Sequence, residues 1–141
     1  MSSTTFEQRR AQHALASARR IEQEPDFAGR YRSYVDALPA TILMNGLGQA
    51  LAMLLSRANR KDVERRKPEA QAYHHLYQHL QDWLCHKECV YPGQASLIEA
   101  VTREDQRRYL RAQAEALAWL EWHKKFCRAF LAEKTPQGAE G

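Results

Sequence analysis

His74, His75, His79, Cys85, His86 and Cys89 crowd one stretch of the chain. Imidazole and thiolate both bind zinc, and His75 and His79, spaced i and i+4, share one face of a helix. The cysteines are spaced C-x3-C, with no second cysteine pair and no H-E-x-x-H sequence in the chain. Hydrogen-bonded or solvated helix histidines are therefore the expectation, with no metal and no cofactor. A protonated face of this kind would also meet phosphate.

Nuclease chemistry has equally little to build on. One helical ribonuclease class has four to six residues between an Arg and the following His, whereas three residues separate Arg9 from His13 and seven separate Arg66 from His74. Asp82 is the only acid between Ala70 and Lys87, which leaves no carboxylate cluster for a two-metal site there. Asn45-Gly46-Leu47-Gly48 lacks the Lys-Ser/Thr of a phosphate-binding loop and any preceding strand. Cys127 stands among aromatics without an adjacent base, as a buried thiol would. The expectation is a chain that is not an enzyme.

Positive charge is the stronger signal. The chain of 141 residues carries 21 Lys+Arg against 17 Asp+Glu, a formal charge of +4. Arg57, Arg60, Lys61, Arg65, Arg66 and Lys67, set against Asp62 and Glu64, account for all of that excess. A local basic patch attracts polyanions and releases their counterions on binding; a solvated loop would have the same composition. Further arginines come in helical pairs: Arg9-Arg10, Arg19-Arg20, and Arg107-Arg108 with Arg111. Rows at one-turn spacing suit a phosphate backbone, and Arg grips phosphate through two parallel hydrogen bonds. These residues are the RNA-binding candidates, and they would read backbone and shape rather than base sequence.

The elements that must carry these residues are helical throughout. A Thr4-to-Glu7 capping box predicts a first helix over about 5–22, ending before Pro25. A second helix fits 30–38, closed by Pro39; a third fits 41–57, ahead of the basic loop. Pro68 opens a fourth that runs to about Cys85, and Ser96-x-x-Glu99 caps a short fifth. Thr102, with Glu104 and Asp105 behind it, starts a long sixth helix reaching about Leu131. The predicted fold class is all-α: a compact bundle of five to six helices with a long C-terminal helix, one helical domain over 1–131 and a flexible tail over 132–141.

Ala37 to Ser56 is free of charge, but Thr41, Asn45 and Gln49 form a polar stripe and Pro39, Gly46 and Gly48 interrupt the run. A buried bundle helix, with no membrane contact, is the better reading. The N-terminal residues lack a secretory pattern, and three cysteines without framework spacing suit a reducing compartment, so the expected location is cytoplasmic. On the sixth helix Leu110, Ala114, Leu117 and Leu120 make one apolar stripe, while Trp119, Trp122, Phe126 and Phe130 lie on another face. The aromatic face is either core or a partner interface, where aromatics are enriched.

Phe6-Glu7-Gln8-Arg9-Arg10-Ala11, the run from Leu38 to Gln49 and Leu51-Ala52-Met53-Leu54-Leu55 resemble the small helical subunit of the type III-B CRISPR–Cas (Cmr) effector complex. Leu80-Gln81-Asp82-Trp83-Leu84 and the run from Leu120 to Phe126 extend the similarity over roughly 6–131. The resemblance implies a non-catalytic subunit of an RNA-guided antiviral complex. Several copies would stack as a minor filament along the guide RNA–target RNA duplex, beside other effector subunits. It makes Arg9 and Arg10, in a Gln-Arg-Arg pattern, the leading phosphate contacts. The alternative is a purely protein–protein scaffold subunit without RNA contact.

Overall fold

The computed structural model describes residues 3–58 and 67–133. They form six helices: α1 (Phe6–Glu22), α2 (Ala28–Asn45), α3 (Leu47–Arg57), α4 (Pro68–Leu84), α5 (Leu97–Arg103) and α6 (Gln106–Phe130), with no strand among the described residues. The all-α bundle with a long last helix is as predicted. The strand-like Cys89-Val90-Tyr91 lies in bends between α4 and α5. No helix is long and apolar enough to cross a membrane among the described residues.

Local chemistry fixes the ends. The N-cap of α1 is Thr5 rather than Thr4: Thr5 Oγ1 accepts from the Gln8 N–H, and the Gln8 side chain accepts from the Thr5 N–H, a complete capping box. Asp105, not Thr102, starts α6 by accepting from the Arg108 N–H, and Thr102 belongs to α5. Ser96 caps α5 as its sequence suggests.

The larger correction concerns α2 and α3. Proline ordinarily ends a helix because it lacks a donor and crowds the carbonyl four residues back. Yet α2 runs through Pro39 to Asn45. Ala28, Tyr31, Val35, Leu38 and Ile42 form one buried stripe across the proline, and burial at roughly 1.5–3 kcal/mol for each large side chain offsets one lost hydrogen bond. The break falls at Gly46, with φ +86°, where a β-carbon would stand 3.1 Å from the Tyr109 hydroxyl. The first turn of α3 is then satisfied by α6. The Leu47 N–H donates to Gln113 Oε1 at 2.9 Å and the Gly48 N–H to Tyr109 Oη at 2.9 Å.

Helix α6 is the spine, packing chiefly on α1 and α2, while α4 packs on α2 and α3. Its buried stripe is Ala112, Ala116, Trp119, Leu120, His123 and Cys127. The predicted stripe fails at Leu110, which is 58% exposed, and at exposed Ala114. Contacts from Arg10 to Glu115, His13 to Trp119 and Arg19 to Phe130 advance together, so α1 and α6 run parallel. Helix α4 runs against α1, with Phe6 on Trp83 at one end and a cleft at the other.

Candidate nucleic-acid interface

The arginines singled out by charge separate into two groups. Arg10 turns inward: its Nε and Nη2 donate to the Glu115 carboxylate at 2.6 and 2.8 Å, and the Trp83 indole N–H donates to the same carboxylate at 2.9 Å. Arg10 thus forms a structural ion pair, and two of the donors that the resemblance would turn to phosphate are engaged by Glu115. The carboxylate fills the Nε–Nη2 edge, which leaves only the Nη1 side of a mostly buried guanidinium for any other acceptor. Arg9 is partly engaged, reaching the Thr4 carbonyl at 2.6 Å and Glu88 at 3.3 Å. Arg108 pairs with Glu104 at 3.1 Å, and Arg57 donates to the Tyr73 hydroxyl at 3.2 Å.

The second group faces solvent. Arg20, Arg107 and Arg111 are exposed and pair with no carboxylate among the described residues. Arg19 is exposed too; it pairs with Glu22 at 3.1 Å and lies 4.4 Å over the Phe130 ring. Lys67 is exposed at the start of α4, whereas Arg60, Lys61, Arg65 and Arg66 lie outside the described residues. Arg111 sits one turn before Glu115, and Arg20 lies ten residues beyond Arg10. The two exposed groups are therefore separated by about 20 Å along the α1–α6 pair.

Arg19 and Arg20 rim a cleft of about 760 Å³ between α1 and α4. Its walls carry His13 and Ser17 from α1, and His74, His75, Gln78, His79 and Asp82 from α4. No three His, Cys, Asp or Glu side chains are placed to share an ion among the described residues. Helical spacing puts His75 and His79 on one face, but the neighbours of that face come from other helices.

The protonation states follow from those partners. His123 Nδ1 lies 3.0 Å from the Ala14 carbonyl, which only accepts, so Nδ1 carries the proton. His123 Nε2, 2.6 Å from Tyr31 Oη, must then accept from the tyrosine hydroxyl. With that proton spent, Tyr31 Oη accepts from His79 Nδ1 at 2.7 Å. His79 is therefore the Nδ1–H tautomer, with Nε2 left as an acceptor. Burial pushes the His123 pKa down to about 3 and the His79 pKa well below the usual imidazole value. At the other end of the cleft, His13 Nδ1 accepts from the Trp119 indole N–H at 2.9 Å, so Nε2–H donates to Asp82 at 2.6 Å. His13 is neutral too, its pKa lowered by burial against the opposing pull of Asp82.

The interior aromatics also divide. Of the two places open to the aromatic face, Trp119 takes the core rather than a partner interface: it is fully buried and its indole N–H is spent on His13. Trp122 and Phe126 are half-buried, with ring centroids 5.8 Å apart, and Phe130 carries Arg19. The exposed apolar side chains lie elsewhere, at Leu43 (69%), Met44 (82%) and Leu110. The three thiols are poor nucleophiles: burial raises Cys85 to about 11 and Cys89 and Cys127 to about 12.

Sequence reasoning missed Glu115 and the His79–Tyr31–His123 chain. The available signal was a polar residue on an apolar stripe. Glu115 stands three residues after Ala112 and four before Trp119, and His123 four after Trp119, all on the buried face of α6.

Comparison with known proteins agrees with this architecture. A model of the family described as CRISPR-associated protein (Cas_Cmr5) matches residues 6–130. The CRISPR system Cmr subunit Cmr5 of Thermus thermophilus is 30% identical over 105 residues, spanning 74% of this chain and 78% of that protein. A crystal structure of a CRISPR-associated Cmr5 family protein from the same organism superposes with a TM-score of 0.68 at 29% identity, covering 91% of this chain and 98% of that one.

Proposed function

The chain belongs to the Cmr5 family, small subunits of the type III-B CRISPR effector complex, and from that premise we propose that it acts there as a non-catalytic RNA-contacting subunit. Copies stack as a minor filament beside other effector subunits in the cytoplasm. The guide RNA–target RNA duplex lies along their exposed arginines. The observation that carries this reading is the division of the arginines: Arg20, Arg107 and Arg111 stay exposed and unpaired among the described residues while Arg10 is consumed inside. Exposed arginines at the two ends of the α1–α6 pair offer cations to more than one phosphate of a continuous backbone. Exposed Leu43, Met44 and Leu110, with half-buried Trp122, Phe126 and Phe130, support contact with neighbouring subunits.

The test is reconstitution of the complex with an Arg20→Glu, Arg107→Glu, Arg111→Glu variant. The expected outcome is normal assembly, with RNA affinity and its salt dependence both reduced. Unchanged RNA affinity would instead leave a protein–protein scaffold.

A further inference from the structure

The α1–α4 cleft joins two chemistries that a plain phosphate site would not combine. Arg19 and Arg20 supply cations at its rim. Its floor, by contrast, holds acceptors. His79 is 8% exposed and lines the cleft. Its Nδ1–H points inward to the fully buried Tyr31 hydroxyl, so the opposite edge of the ring, with Nε2, is the one turned towards the cleft. A neutral imidazole nitrogen repels a phosphate oxygen, because both are acceptors, and takes a hydroxyl or amine donor instead. Asp82, paired with His13 at the far end, is likewise an acceptor and is largely exposed.

The Tyr31 chain makes this choice rigid. If His79 exchanged its tautomer, its Nδ1 would become an acceptor and draw the Tyr31 hydroxyl proton away from His123 Nε2. That nitrogen would then face the tyrosine oxygen without a donor, because the Ala14 carbonyl holds the His123 proton on Nδ1. Tyr31 and His123 are fully buried, so water cannot readily rearrange the chain. The cleft therefore presents a fixed acceptor beside two exposed guanidiniums. The ligand that matches is one carrying a hydroxyl close to a phosphodiester.

We propose that the α1–α4 cleft is a ribonucleotide site, in which Arg19 and Arg20 hold a backbone phosphate and His79 Nε2 accepts a hydrogen bond from the adjacent ribose 2′-hydroxyl. The proposal rests on the RNA-contact reading and narrows it to one face of the subunit. It makes the subunit itself a reader of RNA against DNA, since the 2′-hydroxyl is the group that distinguishes them.

The experiment titrates the full-length chain, with its histidines labelled with nitrogen-15, using three dinucleotides: UpU, its 2′-O-methyl analogue and its 2′-deoxy analogue. Long-range proton–nitrogen spectra follow each imidazole nitrogen. UpU is expected to shift the His79 Nε2 signal and to bind roughly three- to tenfold more tightly than either analogue, the value of one neutral hydrogen bond. His79→Asn keeps an amide donor near the Nδ1 position for Tyr31 but removes Nε2. It should abolish the preference of UpU over the deoxy analogue. The wild-type comparison needs no variant, so a misfolded His79→Asn does not decide the matter. Equal binding of all three dinucleotides, or no His79 shift with UpU, overturns the ribose assignment. If the Arg20→Glu, Arg107→Glu, Arg111→Glu variant still weakens RNA binding by the reconstituted complex in that case, the wider reading stands; if it does not, both fall.

Discussion

Helix α1 carries the same dipeptide twice, Arg9-Arg10 near its start and Arg19-Arg20 near its end, and the fold gives the two opposite roles. At the first, α6 brings Glu115 against Arg10, and the pair forms a two-pronged bridge that also accepts the Trp83 indole N–H. At the second, Arg19 meets the Phe130 ring and Glu22, and Arg20 faces a cleft whose floor is neutral histidine. A guanidinium withdrawn from water needs a carboxylate to remain charged there at tolerable cost. What decides the function of each pair is thus the residue that arrives from another helix, not the pair itself.

The largest effect should come from breaking the inward end. Glu115→Ala leaves Arg10 and the Trp83 indole without their shared acceptor in a mostly buried site. A loss of about 3 kcal/mol or more is expected in urea unfolding. Arg10→Ala should be similarly harmful, because it strands the carboxylate. The double variant should lose less than the sum of the two, which a double-mutant cycle measures directly.

Acid should act next, and through the other end. His123 is buried and neutral with its pKa near 3, against about 6.5 in an unfolded chain. Between those values the unfolded chain binds the extra proton, so stability is complete above pH 6.5 and falls as the pH drops towards 3. The slope from His123 alone approaches about 1.4 kcal/mol per pH unit. His79 and His13, also lowered by burial, add slope of the same sign. Urea midpoints at pH 7, 6 and 5 should fall in order. In a His123→Gln variant that decline should be less steep, although the variant starts from a lower stability.

Much of the fold was legible because its signals are local. Ser96 with Glu99 and Pro68 at the start of α4 act within one turn of where they stand, and their helices begin where the sequence places them, whereas α6 begins at Asp105, one turn after the predicted Thr102. Pro39 misled because its local cost is outweighed by a buried stripe assembled from α4 and α6, which no window around residue 39 contains. The site was less legible for the same reason. Arg10 and Arg20 are indistinguishable until Glu115, 105 residues further along, is placed beside one of them. The histidines stand out as a group in the sequence, but the fold regroups them. His79 belongs with Tyr31 and His123, from two other helices, rather than with the cysteines that follow it. The family resemblance supplied the right class of protein, but it carries no sign that Glu115 engages Arg10.

The smallest expected stability effects give the sharpest test of the contrast, because they should come with unequal effects on RNA. Arg20→Ala removes an exposed side chain without an ion pair among the described residues, so stability should stay within about 0.5 kcal/mol of wild type. In the reconstituted complex its RNA affinity should fall, and the slope of affinity against salt should decrease by about one for each copy in contact with a phosphate. Arg9→Ala is the informative control. Its pair with Glu88, at 3.3 Å, and its hydrogen bond to the Thr4 carbonyl, at 2.6 Å, each contribute about 1 kcal/mol, so this variant should lose somewhat more stability than Arg20→Ala and still fold, while sitting beside Arg10. If pairing decides which arginines meet RNA, Arg9→Ala changes the salt slope less than Arg20→Ala does. Equal slopes would mean that a half-engaged guanidinium exchanges Glu88 for phosphate, and the line between the two ends of α1 would then lie between Arg9 and Arg10 rather than along the helix.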